Sequence, residues 1–155
     1  MKYLEAVIKE SLRLYPSIPS VGRDVMTDIH ATNRAGELVV IPKWTILGWH
    51  PYFVHRDDYH WSDPEAFDPD RFLDPPQDRH KFSFLAFSAG ERNCIGQRYA
   101  INEMLAILTH LVKDFKWESK KKIVKHNFQF TLKAEKIPIK FIRRNKFNQE
   151  ILKKS

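Results

Sequence analysis

The chain holds a single cysteine, Cys94. Its surroundings read Phe87-Ser88-Ala89-Gly90-Glu91-Arg92-Asn93-Cys94-Ile95-Gly96, directly ahead of an apolar run with helical character. A sulfur placed there faces the unpaired N–H groups and the positive end of that helix. Both effects, with Arg92 two residues away, favour thiolate over thiol. Gly90 and Gly96 let backbone approach a flat ligand closely or take positive φ. The pattern suits an anionic sulfur ligand with a large neighbour, whereas a lone cysteine without such flanks is usually a small buried hydrophobe.

Glu10 and Arg13 lie three residues apart and can pair on one helix face; alone, such a pair contributes only a few tenths of a kcal/mol at a surface. Arg71 sits between Phe67 and Phe72 in Phe67-Asp68-Pro69-Asp70-Arg71-Phe72, and by itself reads as a solvated arginine. Other constellations fall short. His50, His55 and His60 recur every five residues, which is neither the helical i, i+4 spacing nor a usual zinc pattern. Asp68-x-Asp70 lacks the glycine and closing glutamate of a calcium loop. No phosphate-cradling Gly-x-x-x-x-Gly-Lys occurs, and Ser88 has no nucleophile-elbow context.

The elements that must position these residues follow from periodicity. Leu4, Val7, Ile8 and Leu12 predict a helix over 2–14, with Pro16 limiting its extension. Residues 16–22 read as a turn-rich connector. Ile29–Asn33, Glu37–Pro42 and Thr45–Trp49 read as strands, with a turn at Arg34–Gly36. Pro51 can open a short helix over 51–58. Residues 61–80 carry four prolines and many acids, a long loop of the kind usually kept for function. Over 97–112, Tyr99, Ile101, Met104, Leu105, Ile107, Leu108, Leu111 and Val112 cover most of a helix circumference, which predicts a buried helix. Residues 127–132 and 137–142 alternate as two strands joined by Lys133–Lys136 into a terminal β-hairpin. The expected class is α+β: leading helix, small β-sheet region, proline-rich meander, cysteine loop, buried helix and terminal hairpin.

Composition narrows the function classes. The 155 residues are 43% hydrophobic and 13% aromatic, enough for one domain with a core and too aromatic for disorder. One cysteine excludes an internal disulfide framework and a four-cysteine zinc site. The longest apolar run, Met104–Leu108, is far short of the roughly 20 residues of a membrane span. Glu5, Lys9 and Glu10 interrupt the N-terminus where a secretory signal needs an apolar stretch, so neither signal nor anchor is expected in this chain. Residues 113–155 hold 14 Lys and Arg against 4 Asp and Glu, while the first 112 hold 12 against 15. The basic end suits an acidic partner, anionic lipid or nucleic acid; it carries no recognisable nucleic-acid module, so no nucleic acid is expected.

Glu-x-x-Arg, Pro-x-Arg-Phe and Phe-x-x-Gly-x-Arg-x-Cys-x-Gly occur in that order. They resemble the C-terminal part of a cytochrome P450, a haem-thiolate monooxygenase. The stretches LRLYPSIPSVGR, HRDD, FDPDRF and FSAGERNCIGQRYA look most like animal family 4 members, insect ones especially, and the likeness runs from Met1 to about Arg144. The resemblance implies that residues 1–155 are the C-terminal third of one such domain, with no separate second domain.

On this resemblance Cys94 is the axial thiolate of haem b iron, a ligand that pushes electron density toward the metal. Phe87 packs near the haem, Gly90 allows the tight turn, and Gly96 completes the motif. Arg92 and Arg23 resemble positions that pair with haem propionates, which suits the always-charged, bidentate guanidinium. Glu10, Arg13 and Arg71 form a buried structural triad fixing the meander. Ile18, Pro19, Ser20 and Val21, with Leu132, Lys133, Ala134 and Glu135 in the last hairpin turn, line the pocket for a hydrophobic small-molecule substrate. The implied reaction inserts one oxygen of O2 into that substrate, with NADPH electrons delivered by NADPH–cytochrome P450 reductase. The implied location is the cytosolic face of the endoplasmic reticulum (microsomal) membrane, with membrane association belonging to the full-length parent.

Three positions depart from the family pattern: Ala86 and Glu91, where proline is frequent, and Trp44, where glycine is usual. If the turn at Pro42–Thr45 needs φ > 0, Trp44 strains it. The distal helix with its oxygen-activating acid–alcohol pair has no counterpart in this sequence, so the isolated chain is expected not to turn over. The alternative is a catalytically inactive truncated fragment with weak or no haem binding.

Overall fold

A computed structural model describes residues 1–121 and 125–144. Helix α1, Lys2–Leu14, forms as the periodicity predicts, and buries Ala6, Ile8, Glu10, Arg13 and Leu14. The buried stripe thus contains an ion pair as well as aliphatic side chains. The chain then runs through the connector into β1, Val21–Asp24, which pairs antiparallel with β4, Ile46–Trp49. Nested between them, β2 (Ile29–Thr32) and β3 (Leu38–Ile41) form an antiparallel hairpin with Ile29 opposite Ile41. Its turn is closed by Asn33, whose Oδ1 accepts from the amides of Ala35 and Glu37, both at 2.9 Å, while Gly36 takes φ +84°. The Trp44 turn does require a left-handed residue: Trp44 sits at φ +70°, held by its amide donating to Val25 O at 2.7 Å.

Pro51 occupies the first turn of α2, Pro51–Val54, where its missing N–H costs nothing. The meander contains one ordered 3₁₀ turn, Pro69–Phe72, capped by the Asp68 side chain accepting from the Asp70 amide. This turn and α3 both pack on α1. A second 3₁₀ turn, Gly90–Arg92, leads into α3, Gln97–Asp114, two residues longer than the apolar pattern marks.

Two expectations require correction. The first is burial of α3: none of its residues is buried, and Tyr99 and Ile107 are largely exposed. Its apolar circumference exceeds what α1 can cover, so Ile101, Met104, Leu105, Leu108, Leu111 and Val112 are only half-buried among the described residues. The second is the terminal hairpin. Ile139–Arg143 (β8) pairs not with the preceding strand but with β5, Phe115–Ser119, a strand the sequence reading omits. Trp117 lies opposite Phe141, and the Phe141 ring meets both Trp117 and Phe115 at 6.0 Å, so aromatic cross-strand packing selects this register. The true hairpin is β6 (His126–Phe128) with β7 (Leu132–Ala134), turning at 129–131. Leu132, Lys133 and Ala134 are therefore strand residues rather than a turn. Among the described residues the strands make four two-stranded sheets, a mixed helix and small-sheet architecture consistent with the α+β expectation.

The core lies between α1 and the meander. Trp61 is almost fully buried there, its Nε1 donating to Ser83 O at 3.2 Å, beside Glu10, Arg13 and His55, which are wholly buried.

Candidate functional site

The loop before α3 is shaped by two left-handed residues, Ser88 at φ +60° and Gly90 at φ +77°. Gly96, at φ −86°, is the N-cap of α3 and is not left-handed. The Ser88 amide donates to Leu85 O at 3.0 Å, and the Cys94 amide donates back to Phe87 O at 2.9 Å. These bonds fold the loop so that Cys94 stands exposed at the mouth of α3. A Cβ built on Gly96 would touch Cys94 Sγ at 3.9 Å, an ordinary contact.

Cys94 borders two open cavities. One of about 300 Å³ is largely apolar and is lined by Leu12, Ile18, Val21, Arg23, Phe87 and Arg92 among others. The other, about 540 Å³, lies toward α1 and α3 and is lined by Phe84, Phe87, Ile95, Arg98 and Ile101 among others. A third, about 520 Å³, is bounded by Arg23, Glu91, Arg92 and Asn93. The structure thus brings Cys94, Phe87, Arg92, Arg23, Ile18 and Val21 around one cavity. Arg23 lies with its guanidinium 5.3 Å from the Trp49 ring and donates to Gly22 O at 2.9 Å. Pro19 and Ser20 do not border this cavity. Leu132 does not border this cavity; its amide donates to Ser17 O in the connector at 3.0 Å. Lys133, Ala134 and Glu135 lie away from the cavity, with Glu135 paired to Lys121 at 3.2 Å.

Glu10, Arg13 and Arg71 are brought together. Arg13 grips Glu10 in bidentate fashion, Nε to Oε2 at 2.7 Å and Nη2 to Oε1 at 2.9 Å. Arg71 Nε donates to Glu10 Oε1 at 3.2 Å, as does the Asp68 amide at 2.8 Å. The remaining guanidinium donors hold loop carbonyls: Arg13 those of His55, Pro64 and Ala66, Arg71 those of Asp68, Ser62 and Asp63. One carboxylate and two arginines therefore hold a proline-broken loop in a fixed course against α1.

Two participants escaped the sequence reading. Arg79 stacks over Trp61 at 4.6 Å, and burial together with the Arg71 charge lowers its pKa. His55, weighed in the sequence only as a metal ligand, is wholly buried. Leu85 N–H donates to its Nε2 at 2.7 Å and its Nδ1 lies 2.9 Å from Arg13 O. Burial foremost, then the charges of Arg13 and Arg56, push its pKa down to about 4, against the opposing bond to the Arg13 backbone. The only signal in the sequence was a histidine directly after a short helix, and its partners lie 42 and 30 residues away. Among the described residues no group of three His, Cys, Asp or Glu is placed to hold a metal ion.

The chemistry of the site is one exposed sulfur donor, a flat aromatic and aliphatic wall, and two guanidinium groups at the rim. That set fits an iron porphyrin: sulfur for the metal, apolar wall for the ring, cations for its carboxylates.

The cytochrome P450 family model matches residues 1–141. The chain is 38% identical over 148 residues to cytochrome P450 4p1 of Drosophila melanogaster, covering 93% of this chain and 28% of that protein. It is 47% identical over 117 residues to the probable cytochrome P450 4s3 of the same fly, 76% of this chain and 23% of the relative. Against rat cytochrome P450 4V2 it is 39% identical over 127 residues, 79% and 22% respectively. The chain thus spans about a quarter of the length of the curated relatives it matches, and on this match it belongs to the cytochrome P450 family.

Proposed function

We propose that this chain is the haem-binding part of a monooxygenase, with Cys94 as the axial thiolate ligand of haem b. The observation that carries the reading is the convergence of Cys94, Phe87, Arg92 and Arg23 on one apolar-walled cavity. Haem held by a cysteinate supplies O–O cleavage and transfer of one oxygen atom to a C–H bond. The chain's own residues hold and orient the group. Phe87 with Ile18 and Val21 would form the apolar wall against the ring, and Arg92 and Arg23 would hold its carboxylates. Gly90 supplies the left-handed turn and Gly96 keeps the backbone beside Sγ free of a side chain. Glu10, Arg13 and Arg71 keep the meander in place beneath.

The apolar wall suits a lipophilic substrate, which Ile18 and Val21 would contact first. Electrons would come from NADPH through NADPH–cytochrome P450 reductase, drawn by charge complementarity to the basic stretch 113–155. The parent would sit at the cytosolic face of the endoplasmic reticulum; among the described residues no helix is long and apolar enough to cross a membrane.

A second reading, haem binding without turnover, is favoured by the exposure of Cys94 and of Ile95 beside it. Water reaching Cys94 from the open side would work against turnover. The test is spectroscopic. The chain mixed with hemin, reduced under carbon monoxide, should give the red-shifted Soret band of a cysteinate complex. Cys94→Ala should lose it while far-ultraviolet circular dichroism is unchanged. A thiolate-type spectrum retained by Cys94→Ala overturns the assignment, and no oxidation of a lipophilic substrate with reductase and NADPH supports the second reading.

A further inference from the structure

We propose that His55 is a positioning residue: as a neutral imidazole protonated at Nδ1, it ties the Cys94 loop to the Glu10–Arg13 pair on α1. The importance of that tie rests on reading Cys94 as the iron ligand. The tautomer follows from the partners. Leu85 N–H donates to Nε2 at 2.7 Å, so Nε2 carries no proton, and the ring proton on Nδ1 donates to Arg13 O at 2.9 Å. The bond is reciprocated, because Arg13 Nη1 donates to the carbonyl of His55 at 2.6 Å. His55 and Arg13 are thus locked through both main chain and side chain.

Phe84 stacks on the imidazole, with centroids 5.3 Å apart and planes 19° apart, which fixes the ring orientation. From Leu85 the constraint passes directly into the loop, since Leu85 O accepts from Ser88 N and Phe87 O accepts from Cys94 N. His55 is therefore one side chain and two backbone bonds from the sulfur's own residue. A doubly protonated ring would present N–H to the Leu85 N–H, and this end of the tie would open. The charges acting on the ring are Arg13 from α1, itself paired to Glu10 at 2.7 Å, and Arg56 on its own segment, paired to Glu65 at 3.0 Å. Phe84 and Leu85 bring none.

The test is residue-resolved amide exchange on the full, haem-free chain, with long-range ¹H–¹⁵N spectra of the histidines. The spectra should show the Nδ1–H form at neutral pH. His55→Phe keeps the ring shape and removes both bonds, and Leu85 and Cys94 should each lose about tenfold of protection, the loss for one stranded buried donor. His55→Gln, which retains an acceptor within reach of Leu85 N–H, should restore most of it. On acidification, wild-type Leu85 and Cys94 should lose protection ahead of the α3 amides, and in His55→Gln that early loss should vanish. This separates the imidazole from the acid response of the rest of the chain, and decides the matter even if His55→Phe does not fold.

A Nε2–H tautomer, or unchanged Leu85 protection in every arm, overturns the tie. Loss at Leu85 without loss at Cys94 overturns the positioning role. With hemin added, His55→Phe should release it about tenfold faster than wild type at an unchanged Soret position. If wild type gives no cysteinate spectrum, the haem reading fails while the exchange arms still decide the tie.

Discussion

Glu10 is a buried carboxylate gripped by two arginines, with Arg79 close enough for their charges to be felt. Removing its charge strands cations in the interior, and Glu10→Gln should cost on the order of 3–5 kcal/mol in urea denaturation. Arg71→Ala leaves the bidentate Arg13–Glu10 pair in place and should cost less than Glu10→Gln; equal costs would mean that the Arg71 contact carries the whole effect. His55 adds a pH dependence. Its folded pKa, about 4, lies below the ordinary value of 6.5, so the unfolded chain binds the proton first as pH falls. Stability is therefore full above pH 6.5 and declines down to pH 4, by about 3 kcal/mol in all. His55→Gln should flatten the urea midpoint across that window, and a midpoint that still falls as steeply assigns the loss to carboxylates. Trp44 is strained in the opposite sense: at φ +70° a β-carbon is unwelcome. Trp44→Gly should raise stability by about 1 kcal/mol despite losing the contact between Lys43 and the indole, measured by the same denaturation.

Local elements are legible in the sequence to the extent that their determinants are local. α1 announces itself by aliphatic spacing, and the Asn33–Gly36 turn and Pro51 by backbone chemistry that needs no partner. The register of β8 is set by Trp117 and Phe115, more than twenty residues earlier, which no alternation within 137–142 reveals. Residues 115–119 carry Lys116 and Glu118 on one face and Phe115 and Trp117 on the other, an alternation too short to mark a strand without its partner. At the site, Cys94 and Gly90 were legible because their motif is contiguous, and His55 was not, because its meaning lies in backbone atoms of α1 and residue 85. Phe141→Ala should weaken the β5–β8 ribbon by about 1 kcal/mol, seen as faster amide exchange at Trp117 and Glu118. Ile8→Ala in the α1 core should cost about 2–5 kcal/mol, whereas Ile107→Lys on the uncovered part of α3 should fall within about 0.5 kcal/mol of wild type.

At the scale of the molecule, two surfaces compete. Tyr99 and Ile107 on α3, Leu38 and Ile46 on the sheets, and Trp44 in the turn between β3 and β4 are 52–75% exposed, more apolar area than an isolated soluble chain usually leaves bare. Against association stands a net charge of +7, weighted toward residues 113–155, which keeps copies apart at low ionic strength. Salt screens that repulsion within about 10 Å at 0.1 M and leaves apolar attraction intact. The chain should therefore sediment as a single small species in dilute, low-salt buffer. It should form larger species as either protein concentration or sodium chloride is raised. Ile107→Lys, which alters charge and apolar area together while leaving the fold in place, should shift the onset to higher salt. Sedimentation that is independent of concentration in high salt would mean that the exposed side chains do not act as a continuous adhesive surface. Association that weakens with salt would instead assign it to pairing of the acidic first 112 residues with the basic remainder.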